Sequence, residues 1–292
     1  VVQAGGEGIE LALQLQPGVQ PDSPCEGRWY GPMTAEKSVR LGPGDRVTIS
    51  SRARWAFVGP LKLHRLKAAE SKERLSVPRL PAAPVLDGDP CEWRSPTWLH
   101  LDRREQVWIG VADRFASTSE KDAWQGADDC SGRVLVGWSK EGLALFVEVR
   151  DDRLVPPVHG VEPWEADCVE IFLDARSGDH LGSPAVTEGV YQLFCPAPRR
   201  TGSLQLLGKA PEGTQAFGKV TENNYTLELL VPTAALGPER WRPGRSLGFD
   251  VAIDDADAQV EGKPIRKSQL VYHGTADNFQ DPSAYAILVL EP

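Results

Sequence analysis

At 292 residues, 41% hydrophobic and 25% charged, the chain has room for one large or two ordinary globular domains. Its 41 acidic side chains outnumber 32 basic ones, and the net charge of −9 repels a phosphate backbone, which argues against nucleic acid as a partner. No apolar run reaches the roughly eighteen residues a membrane-spanning helix needs. Five widely spaced cysteines (Cys25, Cys91, Cys130, Cys168, Cys195) contain no CxxC, so they make neither a zinc knuckle nor a dense disulfide frame, and leave room for one or two bridges.

In chain order, residues 1–78 come first, carrying 11 basic and 8 acidic side chains against 21 and 33 in the remainder. "IELALQLQPG" and "DRVTISSRARWAF" read as strands, with Val47, Ile49, Ala53, Trp55 and Phe57 alternating against Thr48, Ser50, Arg52 and Arg54. Such a segment buries little core alone, so it is read as a β-rich piece of a small sandwich or as strands added to the following domain. The basic cluster from Arg52 to Arg74 reads first as a solvated face.

"SVPRLPAAPVLDGDP", residues 76–90, places four prolines in a short span. Proline lacks a ladder donor and favours extended chain, so a domain boundary is expected near Ser76, giving domains 1–78 and 79–292. Beyond it "RVLVGWSKEGLALFVEVRDD" predicts a hairpin: Val134, Val136 and Trp138 run into a Ser-Lys-Glu-Gly turn, and Leu143, Leu145, Val147 and Val149 return on alternate positions.

The next strand, in "EPWEADCVEIFLDA", also sorts by parity. Val169, Ile171 and Leu173 share one face; Cys168, Glu170 and Phe172 share the other, with Trp164 arriving from the preceding loop. Further strands follow at "VYQLFC", "YTLELLVP", "SLGFDVAIDD", "SQLVYHG" and "AYAILVL", while "TAALGPERW" is at most a turn of helix. Short strands at this density predict an all-β fold, an antiparallel β-sandwich preceded by the small β-rich N-terminal segment.

Five stretches, in order, resemble the family 9 carbohydrate-binding modules over residues 82–292: "PVLDGDPCEW", "GRVLVGWSKEGLALFVEVRDD", "PWEADCVEIFLD", "RSLGFDVAIDDAD" and "FQDPSAYAILVL". The resemblance implies a carbohydrate-binding-module or DOMON-like sandwich that clamps a terminal sugar between two aromatic rings. Trp164 matches the first ring and Glu170 the carboxylate that accepts from sugar hydroxyls. Phe279 stands where binding members place a second tryptophan, and an arginine of the family's site would fall near Phe194. The resemblance also implies a secreted, periplasmic or surface location, fusion to or association with a glycoside hydrolase or surface protein, and calcium as a structural ion with no required cofactor.

The residue types suit that chemistry. Indole offers a flat polarizable surface to the C–H face of a pyranose, and a carboxylate accepts from adjacent hydroxyls at its edge. Asp250, on the parity of Gly248, Ala252 and Asp254, and Gln192, on the parity of Phe194, are further candidates beside Glu170. The plainer readings are a rim-packing Trp164, a solvated Glu170, a Phe279 that plugs the end of the sandwich and a structural Asp250. The acid pairs Asp128–Asp129, Asp151–Asp152 and Asp254–Asp255 suit either calcium or turns, without the twelve-residue EF-hand loop.

Catalysis finds no foothold. Asp167 and Glu170 point to opposite faces, so they cannot flank a glycosidic bond, and no G-x-S-x-G, Walker loop or H-E-x-x-H occurs. The only methionine, Met33, lies outside the matching region, which disfavours a methionine-ligated haem. The expected function is therefore non-catalytic binding of a xylan- or glucan-type polysaccharide or oligosaccharide. The alternative is a sugar-nonbinding sandwich serving as a structural or protein-interaction domain at the cell surface.

Overall fold

The computed structural model describes residues 73–93, 97–109, 124–221, 224–237 and 241–292, with the backbone of four short strands before them. The chain divides into two compact units, Val1–Glu70 and Ser71–Pro292. In the first, β1 (Val2–Gln3) pairs antiparallel with β3 (Arg46–Val47), and β2 (Glu26–Trp29) with β4 (Phe57–Pro60). Ile49, Ala53, Trp55, Met33 and the basic side chains from Arg52 to Lys72 lie outside the described residues.

The second unit is all-β. Its strands are β5 (Arg74–Val77), β6 (Leu99–Leu101), β7 (Val107–Ile109), β8 (Cys130–Trp138), β9 (Gly142–Asp151), β10 (Cys168–Asp174) and β11 (Val190–Pro196). They continue with β12 (Gly202–Ser203), β13 (Leu207–Lys209), β14 (Gln215–Val220), β15 (Asn224–Pro232), β16 (Ser246–Asp255), β17 (Ala258–Val260), β18 (Lys263–Ile265), β19 (Ser268–Val271) and β20 (Ala286–Leu290). One sheet has six strands in the order β12-β14-β15-β9-β8-β6; the other has eight, ordered β13-β11-β10-β16-β19-β7, with β20 joining β16 and β5 joining β20. All these ladders are antiparallel except β5 with β20, which is parallel.

The predicted hairpin forms with the expected register, Trp138 facing Leu143 and Val134 facing Val147. "TAALGPERW" contributes only a three-residue 3₁₀ turn, Thr233–Ala235. The boundary near Ser76 falls differently: Ser76 sits inside β5, which is an edge strand of the sandwich, so the second unit begins at Ser71. The prolines begin only after β5, at Pro78, where they end the strand rather than separate domains.

Between the sheets lies the main core. Val169, Ile171 and Leu173 of β10 pack with Leu193 and Cys195 of β11 and with Leu247, Phe249, Val251 and Ile253 of β16. The facing sheet contributes the hairpin's alternate positions together with Tyr225, Leu227, Leu229 and Val231. Each sheet's outer face is roofed too. Trp93, Leu80, Leu135, Ala144 and Phe146 cover part of the six-stranded sheet; Phe172, Ala252, Val271, Tyr285 and Trp108 cover part of the eight-stranded one. As a result every residue of β10 is buried, whereas alternation alone predicts a half-buried strand. The four described cysteines, Cys91, Cys130, Cys168 and Cys195, are unbridged.

Candidate functional site

Trp164 sits in a single 3₁₀ turn, Pro163–Glu165, set up by a proline whose fixed φ suits the first helical position. Asp167, just beyond, anchors the turn. Its buried carboxylate accepts from the amides of Val155 and Ala256 (2.8 Å for the latter), and its carbonyl accepts from Ala197 at 2.9 Å. Burial, then the neighbouring Asp151 charge, pushes the Asp167 carboxyl up to about 8. Held this way, Trp164 is half-buried, its ring centroid 5.4 Å from that of Phe194 at an interplanar angle of 41°. Phe194 thus occupies as a ring platform the place where the resemblance looked for an arginine.

Glu170 pairs in register with Phe194 on one side and Ala252 on the other, so it stands directly beside that platform. It is 3% exposed. Its two oxygens accept from different amides, Gln192 Nε2 at 2.7 Å and Gln269 Nε2 at 2.9 Å. Gln269 Nε2 also donates to Asp254 Oδ1 at 3.0 Å, and the Arg266 guanidinium donates to the same oxygen at 2.8 Å. Burial, followed by the Glu170 charge, drives the Asp254 carboxyl well above the usual range. The raised Asp254 carboxyl shares a side-chain hydrogen bond with Glu170, and one acceptor of the network, Gln269 Oε1, is buried without a partner. A carboxylate also retains lone pairs beyond one bond per oxygen, so Glu170 keeps acceptor capacity.

Asp250 has a different surrounding. It is 0% exposed, and its carboxylate accepts from the amides of Val251 (2.8 Å), His273 (3.1 Å) and Gly274 (2.5 Å) and from Asn278 Nδ2 (3.0 Å). A Cβ on Gly274 would come within 2.5 Å of an Asp250 oxygen and 2.2 Å of Asn278 Oδ1, so only glycine lets the loop pack this closely. Burial raises the Asp250 carboxyl to about 6 against the opposing effect of those hydrogen bonds. Asp250 therefore pins the loop whose next residue after Asn278 is Phe279, and Phe279 projects with 54% of its surface exposed.

The structure thus brings Trp164, Glu170 and Gln192 together, and sets Asp250 beneath the Phe279 loop. Asp250 lies on β16 opposite Phe172, and Phe194 lies on β11, so the supports of the two aromatic side chains flank β10 on either side. Strands two apart are about 10 Å from each other. Sequence reasoning missed Gln269 and Arg266, noted Asp254 only by parity and as half of an acid pair, and noted Phe194 only as the place of an absent arginine. Parity places Asp254 on the right face, but only the β16–β19 register brings Gln269 opposite it.

The family model described as "Carbohydrate family 9 binding domain-like" matches residues 103–292. The chain is similar to endo-1,4-beta-xylanase A of Thermotoga maritima, 22% identical over 266 residues that span 91% of this chain and 20% of that protein. The enzyme of the same name from Thermotoga neapolitana is likewise 22% identical, over 91% of this chain and 20% of its own length. The chain therefore spans about a fifth of the length of these curated relatives. Among solved structures, it is similar to a family 9 carbohydrate-binding module from Caldicellulosiruptor kristjanssonii in complex with cellotriose, at 17% identity and a TM-score of 0.53. That likeness covers 75% of this chain and 94% of the other.

Proposed function

The chain belongs to the carbohydrate family 9 binding domain-like family, non-catalytic binding domains, and from that premise we propose that it grips the terminal sugar of a xylan- or glucan-type glycan over β10. Trp164 supplies the stacking surface, with Phe194 behind it. Gln192, Gln269 and Glu170 meet the hydroxyls, and Phe279, on the loop that Asp250 secures, closes the second side. The observation that carries this reading is the polar cluster of Glu170, Gln192 and Gln269, in which Gln269 Oε1 has no partner, around the strand whose neighbour Phe194 stacks against the half-buried Trp164 indole. A buried acceptor without a donor costs roughly 1–3 kcal/mol, which hydroxyl donors of a sugar, or waters they displace, would recover.

The neighbouring module solved with cellotriose supports the glucan arm of the proposal, and the xylanase relatives support the xylan arm. The xylanase relatives support an accessory role beside a glycoside hydrolase, and a location outside the cytoplasm is part of the same proposal. Stacking at about 0.5–1.5 kcal/mol beyond area and charge-assisted bonds at about 1.5–3 kcal/mol lead to micromolar to millimolar affinity. One observation favours the rival reading, a sugar-nonbinding spacer or protein-contact domain: Glu170 is nearly buried and already engaged by two amides.

Affinity electrophoresis in soluble xylan and β-glucan, with calorimetry against xylobiose and cellobiose, tests the proposal. Retention in at least one gel, lost in Trp164→Ala with the fold intact, is expected. No retention in any gel would leave the spacer reading. Reducing ends released on long incubation would contradict the non-catalytic assignment.

A further inference from the structure

At the end of the sandwich where β8 begins and β9 and β16 finish, carboxylates crowd together. Oxygens of Asp129, Asp152 and Asp257 lie within 4.8 Å of one another, a spacing at which three anionic groups repel and a nearby cation is stabilising. The chain supplies one. The Lys267 ammonium, with a side chain 8% exposed, pairs with both Asp129 and Asp257. Backbone bonds fix the parts: Asp152 N donates to the Asp129 carbonyl at 3.0 Å, and Lys267 N donates to the Asp255 carbonyl at 2.7 Å. Asp129 precedes a strand of the six-stranded sheet, whereas Lys267 and Asp257 flank strands of the eight-stranded one, so the ammonium joins the two layers.

A structural calcium does not fit these groups. It wants six to eight oxygen ligands, yet in the outer trio the place between Asp129 and Asp257 is already held by Lys267 Nζ. The adjoining inner trio, Cys130, Asp151 and Asp255, is fully buried and offers a thiol, a soft donor, among its three groups.

We propose that Lys267 is the resident cation of this cluster, clasping the two sheets in place of a metal ion, so that the sandwich is stable without calcium and loss of the ammonium opens a site for a hard divalent cation. This does not depend on sugar binding. Arg at this position would keep the charge; a neutral residue would leave three carboxylates facing one another, one of whose oxygens, Asp257 Oδ1, is already buried without a partner.

The test is thermal unfolding of the full chain in EDTA and in millimolar calcium chloride, with calorimetric titration of the metal alone. The native protein is expected to show the same Tm in both and no saturable calcium heat. Lys267→Ala should lose roughly 6–12 °C in EDTA and regain part of it with calcium, while Lys267→Arg stays calcium-independent. A native Tm that falls in EDTA and returns with calcium would overturn the proposal, as would a folded Lys267→Ala with no calcium response. Should Lys267→Ala fail to fold, the native titration alone decides: saturable binding refutes it, and none supports it.

Discussion

Glu170 on β10 and Glu228 on β15 are both buried glutamates on the outward face of a central strand, yet their surroundings differ in kind. Glu228 is 0% exposed and accepts from the amides of Asp87 at 2.8 Å and Gly88 at 2.7 Å and from the Trp93 indole at 3.4 Å. Its donors are backbone and indole groups of the segment that roofs the six-stranded sheet, so that carboxylate serves the fold. Glu170 is bonded by side chains alone, the Gln192 and Gln269 amides and the Asp254 carboxyl, and its network ends in Gln269 Oε1, an acceptor with no donor. A carboxylate sealed by main-chain donors is structural; one held by adjustable amides next to a half-buried indole can exchange partners with a ligand.

Breaking that comparison at its structural side gives the largest effect. Glu228→Ala orphans two amides and an indole N–H, and should cost about 3–5 kcal/mol in urea unfolding while the folded fraction keeps its affinity for sugar. A comparable loss of affinity would show that the two glutamates do not divide as argued. On the other side, Trp164→Ala should weaken binding by about 2–3 kcal/mol, roughly 30- to 150-fold, with less change in unfolding midpoint. Calorimetry and denaturation on the same preparation check both.

A pH series sharpens the account of Asp250 as a pin rather than a sugar contact. Its folded-state carboxyl is raised to about 6, above the unfolded value near 4. The folded protein therefore holds the proton longer, and the stability that proton brings is fully present below about pH 4 and lost as pH rises through 6, on the order of 3 kcal/mol. Asp255, raised to about 8, extends the decline to higher pH. The unfolding midpoint should fall from pH 4 to pH 7, and Asp250→Asn should flatten the lower part of that fall; a midpoint that climbs instead removes the argument. The smallest effect belongs to Phe279→Ala, about 0.5–1 kcal/mol in affinity with no change in Tm, because the ring is largely exposed.

Much of the fold was legible because β-strands carry their facing in every second residue. The hairpin through Trp138 and Leu143, and the core side of β10, follow from parity alone. What parity could not reveal is how each outer face is covered. "YTLELLVP" and "CVEIFLD" show the same outward glutamate, and only contacts from 140 and 99 residues away distinguish Glu228 from Glu170. β5 was hidden by its short length and by the prolines after it, since its parallel partner is the last strand of the chain. Lys267 gave no local signal either; its partner Asp129 is 138 residues distant. The placement of Trp164 and Gln192 near Glu170 was legible because each adjoins or belongs to a strand whose parity is clear.

The most direct test of the central claim follows the indole N–H resonances of the nine tryptophans during titration with cellobiose and xylobiose, with Trp164 assigned from its missing signal in Trp164→Phe. The account predicts that Trp164 shifts saturably with at least one sugar while Trp93, beside Glu228, does not move. A saturable shift at Trp93 with Trp164 unmoved, or no shift at Trp164 with either sugar, would contradict it.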